Sequence, residues 1–179
     1  MKKYNYVLLL RAVNLGPKNR VSMDRLKEIC LELGAKYAFT VMNSGNVLLE
    51  WNEDKVDVSE KITKGLSEKL GFACEWILLD SSEIKHIAET KLFADLKDEE
   101  VAYVTFLATA DPTLKKTMPK QLAHIHVLQV QDNYLFSVSQ ITDDASSFPN
   151  LLIEKQVKQS CTSRNFNTIL KLAKLVEPA

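Results

Sequence analysis

The chain contains 179 residues, of which 46% are hydrophobic and 26% are charged, as is typical of a globular protein. Its 23 basic residues balance its 23 acidic residues, which excludes a strongly basic nucleic-acid-binding protein and an acidic tail. The apolar run from Val7 to Leu10 is too short for a signal peptide or a membrane span. The three cysteines form no Cys-x-x-Cys pair, so the sequence predicts a reducing, cytoplasmic compartment.

The first eighty residues alternate strand-like and helix-like patterns. Short apolar runs predict strands, whereas apolar residues spaced three and four apart predict helices. Ser44-Gly45 predicts a two-residue hairpin turn in which Gly45 supplies a positive φ. The order strand, helix, strand, strand, helix, strand is the ferredoxin-like arrangement. The predicted strands are residues 4–10, 37–43, 46–51 and 72–79, and the predicted helices follow Ser22 and Asp57 and end at Gly34 and Gly71.

The remaining residues repeat part of this order. Asp80 and Glu83 predict a capping box for a linking helix that runs to Lys91. We therefore predict an α+β fold with two ferredoxin-like (α/β-plait) units, the second incomplete, plus a C-terminal helix. The predicted domains are residues 1–80 and 81–179, packed together because no flexible linker divides them. Predicted elements of the second unit are strands 101–108, 125–130 and 134–138, helices near 112–118 and 151–158, and the final helix 165–176.

Polar and basic residues follow the first two predicted strands. In a split βαβ unit these strands run parallel, so the loop after the first strand and the hairpin after the second lie at the same edge of the sheet. Neither loop contains a carboxylate. Cations, amides and loop N–H groups at one edge suit an anion such as a phosphate, a nucleotide or a nucleic-acid backbone. The candidate ligand-binding residues at this edge are Arg11, Asn14, Lys18, Asn43, Ser44, Gly45 and Asn46.

A third polar run, residues 160–168, leads into the final predicted helix. Its hydroxyl groups and Arg164 are predicted to lie at the helix start, where free N–H groups and the helix dipole attract anions. We therefore add Arg164, Asn165 and Asn167 to the candidate ligand-binding residues.

Each candidate residue also has a structural explanation, which the sequence leaves open. Asn14 builds a tight turn, Asn46 bonds the backbone of a neighbouring loop, and Lys18 is solvated. Ser163 or Asn165 caps the final helix. Burial and complete hydrogen bonding of the asparagines would favour this explanation.

Three runs resemble motifs of the domain of unknown function 1697 family. Residues 9–23 resemble the family's opening, Leu-Leu-Arg-Gly-Ile-Asn-Val-Gly-Gly-Lys-Asn. Residues 43–47 resemble its Gln-Ser-Gly-Asn-Val run, and residues 162–172 resemble its Thr-Arg-Asn-Trp-Asn-Thr-Val-Leu-Lys-Leu run. The departures are Ala12 and Pro17, where the family has Gly, and Phe166, where it has Trp.

The resemblance implies an α/β-plait architecture of two ferredoxin-like parts and a bacterial, cytoplasmic origin. It implies no activity, because none is established for the family. Pro17 stiffens the first loop and removes one N–H donor, which weakens a backbone cradle for anions there.

Other kinds of site have little support in the sequence. His124 and His126 alternate on a predicted strand and would share a face, but a third ligand is not evident, so we predict no metal site and no cofactor. Cys161 has no neighbouring acid–base partner, which predicts an inert thiol. The acidic runs 98–100 and 143–144 predict solvated loops.

Three classes of function remain open. The first is a binding protein that holds a small phosphate-bearing ligand; RNA is a weaker alternative because the net charge is zero and no run of exposed aromatics is evident. The second is an enzyme acting on an anionic metabolite, with a base such as His124 or His126. The third is a structural or protein-interaction module. The sequence favours small-anion binding, leaves open whether the chain is an enzyme, and predicts no membrane association.

Overall fold

The computed structural model describes residues 4–141 and 148–176. These residues form a mixed α+β fold with two antiparallel sheets and six helices. The predicted acidic loop at residues 143–144 lies outside the described ranges. Among the helices in those ranges, none has both the length and the apolar character that a membrane crossing requires.

The chain divides into two compact units. The first comprises residues 1–87 and 171–179, and the second comprises residues 88–170. The two domains inferred from the sequence, residues 1–80 and 81–179, stay a prediction.

Four strands and three helices follow one another in the first part of the chain. The strand order is β2-β3-β1-β4, and every neighbouring pair is antiparallel. β1 and β2 therefore run parallel with β3 between them, which confirms the direction predicted for these two strands. The elements are β1 (Tyr6–Leu10), α1 (Met23–Glu32), β2 (Tyr37–Val41), β3 (Asn46–Glu50), α2 (Lys55–Leu70), β4 (Trp76–Asp80) and α3 (Ser81–Ala88).

The core of the first unit follows from the apolar spacing of α1 and α2. Each helix buries a stripe of residues three or four apart against the sheet. Each buried aliphatic side chain contributes about 1.5–3 kcal/mol. Burial raises the pKa of the Cys30 thiol in this core to about 12. The buried positions are Leu26, Ile29 and Cys30 on α1 and Val58, Ile62 and Leu66 on α2.

Both long helices of this unit have defined ends. Ser22 caps α1 through its side-chain oxygen, as predicted. Asp54 caps α2, so that helix begins at Lys55 rather than after Asp57. An aspartate one position before the helix satisfies N–H groups of the first turn, a signal that the sequence analysis missed. Gly71 ends α2 with a φ of 77°, in the left-handed region.

A small ionic cluster joins α2 to the start of α3. Lys55 Nζ lies 2.8 Å from Asp80 Oδ2 and 2.6 Å from Glu83 Oε2. The Asp80 N–H donates to Glu83 Oε2 over 2.7 Å, which confirms one bond of the predicted capping box. Burial acts to raise the pKa of the Asp80 carboxyl, but the hydrogen bonds with Lys55 and Glu83 outweigh it and hold that pKa below its usual value.

Lys55→Met is expected to lower the free energy of unfolding at pH 7 by about 0.5–1 kcal/mol, since these partly exposed charges are screened by solvent. A carboxyl whose pKa is lowered on folding stabilises the fold above its unfolded pKa, and this stabilisation is lost as the pH falls through the folded pKa. The loss caused by Lys55→Met should therefore shrink below about pH 4, as measured by urea unfolding. Lys64→Met, which removes an exposed pair with Glu60, is the matched control. A loss that stays constant down to about pH 3 would contradict this account.

The hairpin between β2 and β3 is longer than predicted. Val41 pairs with Asn46, so the loop has four residues, 42–45, rather than two. Met42 has a φ of 59° and Gly45 a φ of 72°, which confirms the positive φ predicted for Gly45. The two-residue interpretation was wrong because the side chain of Asn46 bonds the Val41 carbonyl and closes the wider loop.

The second sheet has five strands in the order β6-β7-β8-β5-β9, again with antiparallel neighbours. Its apolar core lies beside two short helices. Cys161 is buried in this core. The elements are β5 (Glu100–Leu107), α4 (Leu114–Thr117), β6 (Gln121–Leu122), β7 (Ile125–Val130), β8 (Tyr134–Gln140), α5 (Asn150–Val157), β9 (Cys161–Asn165) and α6 (Phe166–Val176).

Strand β9 was not predicted from the sequence. The hydroxyl groups and Arg164 of the polar run 160–168 were expected at the start of the last helix, but residues 161–165 pair with β5 from Leu107↔Cys161 to Tyr103↔Asn165. Thr105 Oγ1 and Ser163 Oγ lie 2.6 Å apart, and both residues are buried. Hydrogen bonds between side chains satisfy the buried hydroxyl groups of this strand, which carries little apolar surface. Apolar periodicity therefore does not predict the strand.

Candidate functional site

The first group of candidate residues lies where four strand ends meet. We call Arg11, Asn14, Lys18, Asn43, Ser44, Gly45 and Asn46 the loop edge. β1 ends at Leu10, in register with Trp76 at the start of β4. β2 ends at Val41, in register with Asn46 at the start of β3. The antiparallel pairing thus brings both predicted loops to one edge of the first sheet.

Asn14 holds the loop edge together from within. Its Oδ1 accepts the Val21 N–H over 3.0 Å, and its Nδ2 donates to the Val21 carbonyl over 2.9 Å. The same Nδ2 donates to the Asn43 carbonyl of the hairpin over 3.1 Å. The residue is half-buried and has a φ of 57°, which asparagine adopts more readily than most residues. Its side-chain amide therefore connects the first loop to the hairpin.

Asn46 closes the hairpin from a fully buried position. Its Nδ2 donates to the Val41 carbonyl over 3.0 Å and to Ser44 Oγ over 2.9 Å. Gly45 is also buried, and its carbonyl accepts the Leu10 N–H over 2.8 Å. These contacts join the two sides of the turn and connect it to the end of β1.

The two cations of the loop edge, and Arg20 beside them, differ in their surroundings. Arg11 Nη1 lies 3.0 Å from Glu75 Oε2. Arg20 Nε donates to the Gly16 carbonyl over 3.0 Å, while Lys18 extends into solvent. Glu75 was not among the residues predicted for this edge, because only the pairing of β4 with β1 brings its carboxylate there. The edge is therefore less positive than the loop sequences predict.

Arg164 lies within β9, and its side chain is buried. Its Nη1 donates to Thr162 Oγ1 over 2.8 Å and to the Ser163 carbonyl over 3.0 Å. Burial lowers the pKa of the Arg164 guanidinium to about 10, so the group remains charged at neutral pH. The buried guanidinium therefore forms its hydrogen bonds with neighbouring residues of β9 and has little contact with solvent.

Asn165 and Asn167 line a groove of about 540 Å³ in the second unit. Its walls come from five residues between 90 and 96, from residues 100–102 at the start of β5, and from four residues between 165 and 170. The volume falls within the range of small-ligand pockets. We refer to this feature as the groove.

The groove is lined by two aromatic residues and by two charged residues. The rings of Phe93 and Phe166 have centroids 4.7 Å apart. Lys91 lines the groove, and its ammonium has no hydrogen bond or ion pair within the described ranges. Glu100 also lines it, and its Oε2 accepts the Lys97 N–H over 3.1 Å. The groove can therefore contact an apolar body and one anionic group of a ligand.

The polar wall is formed where β9 turns into α6. The Asn165 Oδ1 accepts the Asn167 N–H over 2.9 Å and satisfies one N–H group of the first helical turn. This confirms the alternative in which Asn165 caps the final helix. The Asn167 side chain is exposed beside the groove.

The structure brings the candidate residues into two groups. The loop edge belongs to the first unit and the groove to the second. Two groove residues, Lys91 and Phe93, were missed by the sequence analysis. Their signal was weak, since Phe93 is a lone aromatic residue in an otherwise polar and acidic stretch.

The histidines and Cys161 offer no metal site in the described ranges, where no three possible ligands cluster. His124 lies in the turn before β7 and only His126 lies on that strand, so the predicted alternation along one strand was wrong. The buried Cys161 Sγ lies 3.7 Å from the Asn150 carbonyl. A buried thiol of this kind packs as a small apolar group.

Comparison with known proteins gives a family and a fold. The chain is similar in structure to a conserved bacterial protein of Streptococcus pneumoniae, SP0830, with a TM-score of 0.77 and 19% sequence identity over 97% of this chain and 99% of that chain. At this identity the likeness shows the fold alone. No curated protein matches the chain. The sequence model described as "Protein of unknown function (DUF1697)" matches residues 1–136, and the chain therefore belongs to that family.

Proposed function

We propose that the protein binds a small anionic ligand in the groove. One observation carries the proposal: a cavity of about 540 Å³ has an aromatic wall and is also lined by Lys91, whose ammonium no described residue pairs. Ligand pockets typically combine an apolar lining with a few polar groups that fix orientation.

Each wall of the groove has a part in this proposal. Phe93 and Phe166 pack against the apolar body of the ligand, and Lys91 forms a charge-assisted hydrogen bond with its phosphate or carboxylate. Asn165 and Asn167 orient the polar groups of the ligand. The proposal is for binding and names no reaction.

For the loop edge we propose a structural role. The hydrogen bonds of Asn14 and the full burial of Asn46 support it. Phosphate binding near Lys18 and Arg164, as the sequence suggested, has less support because Arg164 is buried and bonded to Thr162 and Ser163.

We also propose that both units are ferredoxin-like. The support is that β2-β3-β1-β4 in the first sheet and β7-β8-β5-β9 in the second place equivalent strands in the same order. A cytoplasmic location belongs to the same proposal, and the three free, buried cysteines agree with it.

A thermal-shift experiment tests the groove with phenyl phosphate and inorganic phosphate as probes. Phenyl phosphate at about 100 times its dissociation constant should stabilise the fold by about 2.7 kcal/mol, which corresponds to a melting temperature raised by roughly 5–10 °C. Inorganic phosphate should have a smaller effect, since it has no apolar body to cover the aromatic wall. Lys91→Gln should weaken binding of phenyl phosphate about tenfold or more, because it removes a charged hydrogen bond.

Lys97→Gln is the matched control, because this exposed lysine lies on the same segment but does not line the groove. It should leave the stabilisation by phenyl phosphate unchanged. Equal stabilisation of the Lys91→Gln and Lys97→Gln variants would show that the anion binds elsewhere. No stabilisation of the unmodified chain by either probe would overturn the proposal.

A further inference from the structure

We infer that the ligand of the groove is a short peptide, bound in extended form along the open edge of β5 with its terminal carboxylate at Lys91. This inference rests on the proposed function, since it assigns a chemical class to the ligand of the same groove. It adds backbone recognition, which a general site for small anions does not require.

The open edge arises because β5 is longer than its neighbour β9. β5 comprises residues 100–107, whereas β9 pairs only with residues 103–107. On its other side, β5 pairs with β8 at every residue from Glu100 to Phe106; these pairs include Glu100↔Gln140 and Ala102↔Val138. Residues 100–102 therefore have a strand neighbour on one side only, and the same three residues are among those that line the groove.

The last helix explains why β9 stops there. Asn165 is the final strand residue, and its side chain caps the first turn of α6 by accepting the Asn167 N–H. The chain turns into the helix at Phe166 instead of continuing beside Glu100. The position that a longer β9 would occupy is thus left as part of the groove.

The backbone polarity of β5 follows from the bonds at its other end. The Ala108 N–H donates to the Ser160 carbonyl, on the side of β9, and the Leu107 N–H donates to the Asn133 carbonyl, on the side of β8. Backbone groups of successive strand residues alternate in direction, so those of Glu100 and Ala102 point to the side of β9, beyond the last strand pair Tyr103↔Asn165. The Glu100 N–H is already bonded to the Lys97 carbonyl. The Glu100 carbonyl and the Ala102 N–H are the groups suited to a peptide unit.

The remaining walls match a peptide of a few residues. Strand addition to a sheet edge uses backbone bonds for affinity and side-chain pockets for selectivity. The aromatic wall of Phe93 and Phe166 suits one apolar side chain. Lys91 complements a terminal carboxylate in charge. The volume of about 540 Å³ limits the bound segment to a short one.

The test uses a library of acetylated tripeptides with free carboxyl ends and every residue type at the last position, measured by titration calorimetry on the full chain. We expect peptides ending in an apolar or aromatic residue to bind. For the best of them, N-methylation of the last amide should weaken binding at least tenfold, because it removes a backbone donor while keeping the side chains. Amidation of the carboxyl end should weaken binding to a similar degree.

Two further arms separate this inference from the proposed function. In Lys91→Gln the acid and the amidated peptide should bind equally, whereas Lys97→Gln should keep the preference for the acid. If phenyl phosphate binds but no tripeptide does, the groove is an anion site and the peptide inference fails alone. If neither class binds, both fail. A tripeptide that binds equally well after N-methylation would overturn strand pairing and with it the inference.

Discussion

Gly45→Ala is expected to lower the free energy of unfolding by about 3 kcal/mol, from two independent effects. The residue has a φ of 72°, a conformation that costs a side-chain-bearing residue about 1–2 kcal/mol. A Cβ atom at this position would also lie 2.5 Å from Val13 Cγ2 and 2.8 Å from Leu10 Cβ. Both neighbours are buried, so neither can move without disturbing the core.

Gly71→Ala separates the two effects. Gly71 has a φ of 77°, almost the same as Gly45, but apart from its adjacent residues no atom of the described part of the chain lies within 4 Å of a Cβ placed there. Its substitution should therefore cost only about 1 kcal/mol in urea unfolding. If both alanine variants lose the same stability, the close approach of Val13 and Leu10 has no energetic effect and the argument from contacts is wrong.

Asn46→Asp is the second large effect, with an expected loss of about 3–5 kcal/mol at pH 7. The side chain is fully buried, and its Nδ2 donates to the Val41 carbonyl and to Ser44 Oγ. In the aspartate variant, a carboxylate oxygen replaces Nδ2 and faces the Val41 carbonyl oxygen, so that two acceptors meet without a proton between them. The variant also buries a negative charge. Burial raises the folded-state pKa of such a carboxyl above its unfolded value.

The sign of the pH dependence follows from this raised pKa. Below the unfolded pKa, about 3.9, the carboxyl is neutral in both states and the charge penalty is absent. The stability of Asn46→Asp relative to the unmodified chain should therefore fall as the pH rises from about 4 toward the folded pKa. Asn43→Asp, at an exposed position of the same hairpin, should change stability by less than about 0.5 kcal/mol. Urea unfolding over this pH range checks both variants, and a pH-independent loss would argue against a buried charge.

Much of the first unit is predictable from the sequence because its elements are amphipathic. The continuous apolar run of β1 predicts a buried strand. The apolar spacing on α1, with Leu26 and Ile29, and on α2, with Ile62, predicts the buried face of each helix. The strand order then follows from the split βαβ pattern, and the loop edge follows from that order. Local periodicity was sufficient here because the burial is apolar.

The rest was not predictable, for two physical reasons. β9 is buried through hydrogen bonds such as Thr105 to Ser163, and polar strands lack the apolar signal that marks a strand. Lys91 and Asn165 line the same groove although they lie far apart in the sequence, and local sequence patterns do not predict contacts between such distant residues. The ion pair between Glu75 and Arg11 is another example of the second reason, since the pairing of β4 with β1 brings these two residues together.

The reactivity of the buried cysteines can be used to measure local unfolding of the chain. Burial raises the pKa of Cys30 to about 12 and that of Cys74 to about 11, so almost no thiolate is present at neutral pH. Alkylating reagents therefore modify these residues when the first unit opens, and Cys161 when the second unit opens. Mass-resolved alkylation rates at the three positions would give the opening free energy of each unit separately, without any added label.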